Sequence, residues 1–415
     1  MKRILLLLAM LGVAGFGEAK SLKTTWRVTI DGYRADCPVV IADVPSWAES
    51  VEVRSNGATL VAQLDKALGE AAFVADIALT RDFEVVFSDR PAKTTPASRV
   101  NAQMWWKNPD GSLAERDTLW SEKDDMYRKL HHHGPAFESE YAAYRIYFDK
   151  KQSVDTYGKK RPALELRETM WYPSREQLAA GFGHDNLRVF GSVSVGALKG
   201  WNAEKRAAEH IVDMRRREAS IRAAGPLRTV VDMRVEGWQY GEREINMASR
   251  YILYGGGSAV KVENRIEGRD VDGLEFATGV MKMARNGGLH LESDNRMWLL
   301  STVGEDFPEN DTLVWERETM GLAVALPAAQ VRSQIDDELS YLCQLHPVDG
   351  RIDYWLCAAW RKSEFLSDGE RENPSLAAAR EVQAAVGSEL RAVRILKHKR
   401  LKGKPGAETL RRLRP

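Results

Sequence analysis

The sequence predicts a mostly β fold: a small N-terminal β-sandwich followed by a large stack of antiparallel sheets. Short alternating or β-branched runs, bounded by Gly, Pro, Asp and Asn, recur along most of the 415 residues. Helices are not regularly interposed between them, as a βα repeat would require. The glycines form no phosphate-binding fingerprint, and Gly255-Gly256-Gly257 lacks the strand, turn and helix context that would make one.

The first residues are read as a signal peptide. Lys2 and Arg3 precede the apolar run from Ile4 to Phe16, and Gly17-Glu18-Ala19 offers small side chains at the positions a signal peptidase reads. Residues 1–19 are therefore expected to be removed, leaving a periplasmic or secreted protein. The apolar run is shorter than the about 20 residues of a membrane span, so no stable span is expected after cleavage. Without these residues, 58 basic and 58 acidic side chains remain, which excludes a global positive field for nucleic acid.

Residues 20–97 read as the small sandwich, with strands at Trp26–Ile30, Val51–Arg54 and Phe83–Phe87. Residues 98–134, which carry Trp105-Trp106, read as a connecting segment. Residues 135–388 read as the large antiparallel unit, with strands at Ala142–Phe148, Val189–Gly196, Val230–Gly237, Ala259–Ile266, Phe276–Met283, Met297–Val303, Thr312–Glu316, Leu322–Leu326 and Tyr354–Trp360. Two stretches have helical composition: Ala203–Ala224, whose later part also alternates, and Pro374–Val386. Residues 389–415 form a basic C-terminal segment with ten Lys or Arg against two acids. Cys37, Cys343 and Cys357 are too few for a disulfide scaffold, and a Cys343–Cys357 bridge and three free thiols are both open.

The chemistry is densest between Tyr127 and Tyr172. His131-His132-His133 is followed by Glu138, Tyr141, Tyr144, Arg145, Tyr147, Asp155, Tyr157 and Lys160. Imidazoles move protons near neutral pH, phenols assist at a leaving oxygen, and a guanidinium clamps a carboxylate. On a strand beginning near Glu140, Tyr144 takes one face while Tyr141, Arg145 and Tyr147 take the other. Glu138 and Asp155 are candidates for a hydrolytic carboxylate pair, and His184 beside Asp185 for an oriented acid or base. Trp171, Trp201 and Trp238 are candidates for stacking on sugar rings. No cofactor is certain; His131 and His133 with Glu138, Glu140 or His184 could hold a divalent metal, although the spacing matches no known zinc signature. No G-x-S-x-G elbow is present.

The block His131-His132-His133-Gly134-Pro135-Ala136-Phe137-Glu138-Ser139-Glu140 and the later Tyr144-Arg145-Ile146-Tyr147 and Asp155-Thr156-Tyr157-Gly158-Lys159 resemble the bacterial family DUF4861. The resemblance continues through Gly181-Phe182-Gly183, Lys199-Gly200-Trp201 and Gly225-Pro226-Leu227-Arg228-Thr229. It implies an exported protein associated with breakdown of pectin or other uronate-containing polysaccharides, and an architecture of the galactose-mutarotase-like supersandwich kind. Residues and resemblance together lead to an expected carbohydrate-active enzyme on acidic poly- or oligosaccharides, acting by β-elimination. The alternatives are a glycoside hydrolase or epimerase on acidic sugars, or a noncatalytic glycan-binding protein.

Overall fold

The computed structural model describes residues 20–123, 126–189, 193–307 and 316–395. The signal peptide read at 1–19, residues 312–315 of the strand predicted at Thr312–Glu316 and the tail from 396 onward lie outside the described residues, and Glu316 itself is in a bend. The fold is mostly β and built from antiparallel sheets, as the alternation predicts.

The N-terminal unit is one seven-stranded sheet dominated by two long strands, Ser21–Ile41 and Glu70–Ser88. They pair antiparallel, with register shifts between Thr29 and Tyr33 and between Arg34 and Cys37. Such irregularities bend a strand. The unit encloses its own core, including Trp26, Val39, Ile41, Phe73, Phe83 and Val85. The start of the basic C-terminal segment docks here, with Val39 opposite Leu390 and Trp26 opposite Arg394.

The larger unit is organised around a nine-stranded sheet. Its order is Arg285–Ser293, Met297–Asp306, Glu318–Pro327, Arg351–Trp360, Val260–Glu267, Arg243–Tyr254, Arg228–Tyr240, Arg216–Ala224 and Thr118–Ser121. Two five-stranded sheets share a core with one of its faces. One contains Val100–Gln103, Ala136–Ser139, Ala142–Ile146, Val154–Gly158 and His184–Asp185; the other contains Phe276–Met281 and Ser340–Leu345. A continuous apolar cluster joins the three sheets through Phe137 and Tyr144, Tyr251 and Tyr354, and Phe276 and Leu345.

Three details differ from the sequence reading. The segment 98–134 is more than a connection, because Val100–Gln103 and Thr118–Ser121 complete two of the large unit's sheets. Ala203–Ala224 is not helical: its alternating part forms the strand Arg216–Ala224, burying Arg217, Ala219 and Ala223. At 189–196, residues 190–192 lie outside the described residues, and Val195 makes an isolated bridge with Val280. The helix read at Pro374–Val386 is present as Pro374–Ala385, with Ala378 and Val382 packed against Ala323, Ala325 and Cys357. All three cysteines are free and buried. Among the described residues no helix is long and apolar enough to cross a membrane.

The two units meet through buried charge. Arg228 donates from Nε and Nη2 to Asp65 at 2.8 and 2.7 Å and from Nη2 to Glu70 at 2.7 Å. Gln63 accepts the Leu227 and Arg228 backbone N–H groups at 2.7 and 2.9 Å.

The C-terminal helix gives a stability test. A Cβ at Gly321 would run into the Pro374 backbone, whereas one at Gly369 would meet open space. Gly321→Ala is expected to lower unfolding stability by about 1–3 kcal/mol, the usual cost of overpacking. Gly369→Ala should be nearly neutral in the same denaturant titration.

Candidate functional site: a phenol and imidazole cluster on a buried arginine

The strand Ala142–Ile146 lies between Ala136–Ser139 and Val154–Gly158, so its side chains alternate between two faces. Tyr144 and Ile146 enter the main core. Arg145 takes the opposite face and is 1% exposed. Its Nε and Nη2 grip Asp155 Oδ2 at 2.9 and 2.6 Å, and Nη2 also donates to Asp185 Oδ2 at 2.9 Å. Nη2 and Nη1 donate to the hydroxyls of Tyr147 and Tyr172 at 3.0 and 2.9 Å. The Trp171 ring lies 4.5 Å from the guanidinium carbon, while its Nε1 donates to Asp185 at 3.0 Å. Burial alone would drive the guanidinium toward neutrality; Asp155, Tyr147 and Asp185 more than offset it, so Arg145 stays protonated.

The three histidines form a tight turn rather than a strand. His133 has φ +66°, and a Cβ on Gly134 would run into the Ile146 carbonyl. Glycine thus lets the histidine turn pack directly on the end of the Arg145 strand. Each imidazole is held by a carbonyl: His131 Nε2 by Met170 at 3.1 Å, His132 Nδ1 by Gly134 at 2.9 Å, and His133 Nδ1 by Tyr127 at 3.0 Å. A carbonyl only accepts, so these nitrogens carry the protons and the tautomers follow. Burial, aided by the Arg145 charge, pushes His133 down to about 4; burial pushes His132 to about 3 and lowers His131. All three are neutral at pH 7. His133 stacks on Tyr147 with ring centroids 5.6 Å apart and planes 13° from parallel, and its Nε2 has no partner among the described residues.

The Tyr147 phenol borders a cleft of about 470 Å³ whose lining includes Tyr127, Asp149, Lys150, Lys151 and Ser153. The cleft is shaped by the turn after the Arg145 strand. Asp149 accepts the backbone N–H groups of Lys151 and Gln152 at 2.8 and 3.2 Å, which displays the two lysines side by side. The buried Ser153 hydroxyl, at the cleft wall, has no hydrogen-bond partner among the described residues. Beneath the turn, the buried Lys199 ammonium donates to the Lys151 carbonyl. Burial pushes the Lys199 amine down to about 7.

The remaining predicted residues separate from this cluster. Sheet register places Glu138 opposite Ala143, at the strand end away from Tyr147. Glu138 is buried and accepts from Lys159 at 2.5 Å, from the Glu165 and Leu166 backbone at 2.8 and 3.0 Å, and from Asn101 at 3.2 Å. Asp155 is held by Arg145, so the two carboxylates expected to act together occupy separate ion pairs. Tyr157 donates to Glu165 at 2.9 Å in the interior. Tyr144 donates to the Ser258 carbonyl at 2.7 Å and is a core residue.

Tyr141 packs edge-on to Phe365 and, like Lys160, lies at the far end of the hairpin. Trp171, Trp201 and Trp238 are buried rather than ranged along a sugar groove. The His184 imidazole is backed not by the Asp185 carboxylate but by Glu318, 3.3 Å from its Nε2. Among the described residues, no three His, Cys, Asp or Glu side chains converge as a metal site, so the set suggested around His131 and His133 is not assembled. Sequence reading missed Lys150, Lys151, Ser153 and Lys199.

Two outcomes follow from these pairings. Glu138→Gln leaves Lys159 buried and uncompensated, and should cost about 3–5 kcal/mol of stability by chemical denaturation. For Lys199 the folded pKa lies below the unfolded one, so the unfolded chain binds more protons above pH 7 and stability rises with pH there. Lys199→Met should flatten that rise between pH 7 and 9; an unchanged slope would count against a depressed amine.

No curated protein sequence matches the chain. Among solved structures, it is similar to a protein in glycosyl hydrolase family 38 from Enterococcus faecalis, with 7% identity and a TM-score of 0.36. That similarity covers 92% of this chain and 46% of the other, so the chain spans less than half the length of that protein. The family described as Domain of unknown function (DUF4861) matches residues 41–372, which include the histidine turn, the Arg145 cluster and the lysine cleft. The chain belongs to the DUF4861 family.

Proposed function

We propose that the protein is an extracytoplasmic enzyme that cleaves uronate-containing oligosaccharides by β-elimination at the Tyr147 cleft. The observation that carries this reading is the Tyr147 hydroxyl, 3.0 Å from the Arg145 guanidinium and 3.3 Å from Asp155, beside a cleft with two lysines. A phenol that gives its proton to a departing sugar oxygen becomes a phenolate, and Arg145 is fixed where it stabilises that charge.

In the reaction a base takes the proton beside the uronate carboxyl group, the electron pair forms a carbon–carbon double bond, and the bond to the leaving oxygen breaks. His133 is the base: neutral at pH 7, with its proton on Nδ1 and its Nε2 lone pair available. Tyr147 protonates the leaving oxygen. Lys150 and Lys151 neutralise the carboxylate as charge builds on it. Arg145, expected from sequence to clamp the substrate, is engaged by two carboxylates and two phenols and instead positions Tyr147. Hydrolysis through Glu138 and Asp155 is disfavoured because both carboxylates already sit in ion pairs.

Purified protein incubated with saturated uronate oligosaccharides should yield an unsaturated product by mass. Addition of water would instead indicate hydrolysis, unchanged mass with altered stereochemistry would indicate epimerisation, and binding without turnover would indicate a glycan-binding protein. Tyr147→Phe should lower kcat/KM by about 100-fold or more in protein that is still folded by circular dichroism, alongside a stability loss of about 1–3 kcal/mol from the bond to Arg145. Because the base must be unprotonated, activity should fall with decreasing pH only as His133 titrates, near 4 rather than near 6.5. An acid limb near 6.5 would remove His133 from this role.

A further inference from the structure

The second feature is on the outer face of the nine-stranded sheet, where the pairing registers align one residue from each of six strands. Trp120 lies opposite Glu218, Glu218 opposite Arg234, Arg234 opposite Ala248, Ala248 opposite Arg265, and Arg265 opposite Arg351. Directly paired residues point to the same face, so these side chains form one transverse row. Neighbouring strands are about 4.8 Å apart, which makes the row about 24 Å long.

The row has three features that sheet stability alone does not favour. Arg265 and Arg351 are like charges placed directly opposite each other, an arrangement that destabilises a sheet. Arg234 and Arg265 are exposed with no ion-pair partner among the described residues, and Ala248 between them leaves a gap. At the end of the row, Trp120 is 53% exposed, with the Arg216 guanidinium 4.7 Å from its ring centroid.

The adjacent row shows the contrast. There Arg250 grips Asp232 at 2.7 and 2.8 Å, while the like-charged Glu263 and Asp353 fall opposite each other and are met along their own strands by Lys261 and Arg351 at 2.7 and 3.0 Å. Every carboxylate of that row thus has a cation, whereas Arg234 and Arg265 are left available. Arg234, Arg265 and Arg351 line a cleft of about 810 Å³, which extends to Arg391 of the docked C-terminal segment. The cleft adjoins the proposed reaction site: Arg215 lines this cleft and Val212 the Tyr147 cleft, and three residues span at most about 11 Å.

We infer that this row binds an extended acidic glycan, with Arg234 and Arg265 taking carboxylates and Trp120 stacking on a sugar ring. The inference rests on the uronate reading of the Tyr147 cleft and assigns that substrate a second contact region. Guanidinium groups suit carboxylates because they donate in a planar fork. An indole supplies an apolar face for the sugar.

Calorimetry of the full exported chain with a homogeneous galacturonate oligomer tests it, with the carboxyl-reduced oligomer as the neutral probe. Arg234→Ala/Arg265→Ala is expected to weaken binding at least tenfold, Trp120→Ala several-fold, and Arg285→Ala, elsewhere on the sheet, not at all. The neutral oligomer should bind at least tenfold more weakly than the acidic one. Unchanged binding by the double variant, with an unchanged thermal midpoint, overturns the inference, as does equal competition by an oligonucleotide of the same charge. Tyr147→Phe separates the two readings. Turnover by wild type with an unchanged KM in the double arginine variant sinks the row alone; arginine-dependent binding without turnover sinks the elimination reading alone. Absence of both binding and turnover overturns both.

Discussion

A guanidinium removed from water loses solvation that must be replaced group by group, and around Arg145 this requirement organises the neighbouring structure. Asp155 comes from the next strand, Asp185 from the strand beyond it, Tyr147 from the end of the same strand, and Tyr172 from the segment after a short helix. Each contribution constrains its own backbone. Asp185 also accepts from Trp171, which presents its ring to the guanidinium, so one carboxylate fixes both an indole and an arginine. The histidine turn closes over this assembly, with His131 against Tyr172 and His133 against Tyr147. A buried charge pair is weak grounds for net stability. It is a strong constraint on geometry, because displacing any one partner leaves another exposed to the same desolvation cost.

That distinction separates the local effects of otherwise similar residues. Glu138 with Lys159 and Asp155 with Arg145 are both buried carboxylate–cation pairs on one five-stranded sheet. The carboxylate of Glu138 is further closed by two backbone N–H groups and Asn101, leaving the pair inside the scaffold. The Arg145 assembly instead ends in phenols, one of which borders a cleft. Reactivity depends on where such a network terminates as much as on the groups within it.

The overall fold was legible because strand alternation survives burial: Tyr144 and Arg145 point to opposite faces as their neighbouring positions predict. The helix at Pro374 was legible from its alanines and starting proline. What linear spacing could not supply was which end of a hairpin a side chain serves. Lys160 and Lys151 are close in sequence, yet the strand Val154–Gly158 runs between them and carries them to opposite ends. The turn signal Asp149-Lys150-Lys151-Gln152 directly follows the predicted strand Ala142–Phe148 and would have found the lysines, had the loop been weighed as heavily as the strand. The indoles failed for another reason: twelve tryptophans look equally available for stacking, and only packing distinguishes buried Trp171, Trp201 and Trp238 from exposed Trp120.

The outer sheet face extends this lesson to charge. With equal basic and acidic totals over residues 20–415, composition points to no anionic ligand, because a global sum discards position. Antiparallel register restores position: Asp232 and Arg250 fall opposite each other and cancel, whereas Arg265 and Arg351 fall opposite each other and do not. A small change in register would have exchanged these relations and erased the uncancelled row. Where charge is left uncancelled on this face is therefore a property of strand pairing, and can coexist with a chain whose net charge is close to zero. The same register that gives the large sheet its apolar inner face also orders the ionic outer face, so the two cannot vary independently.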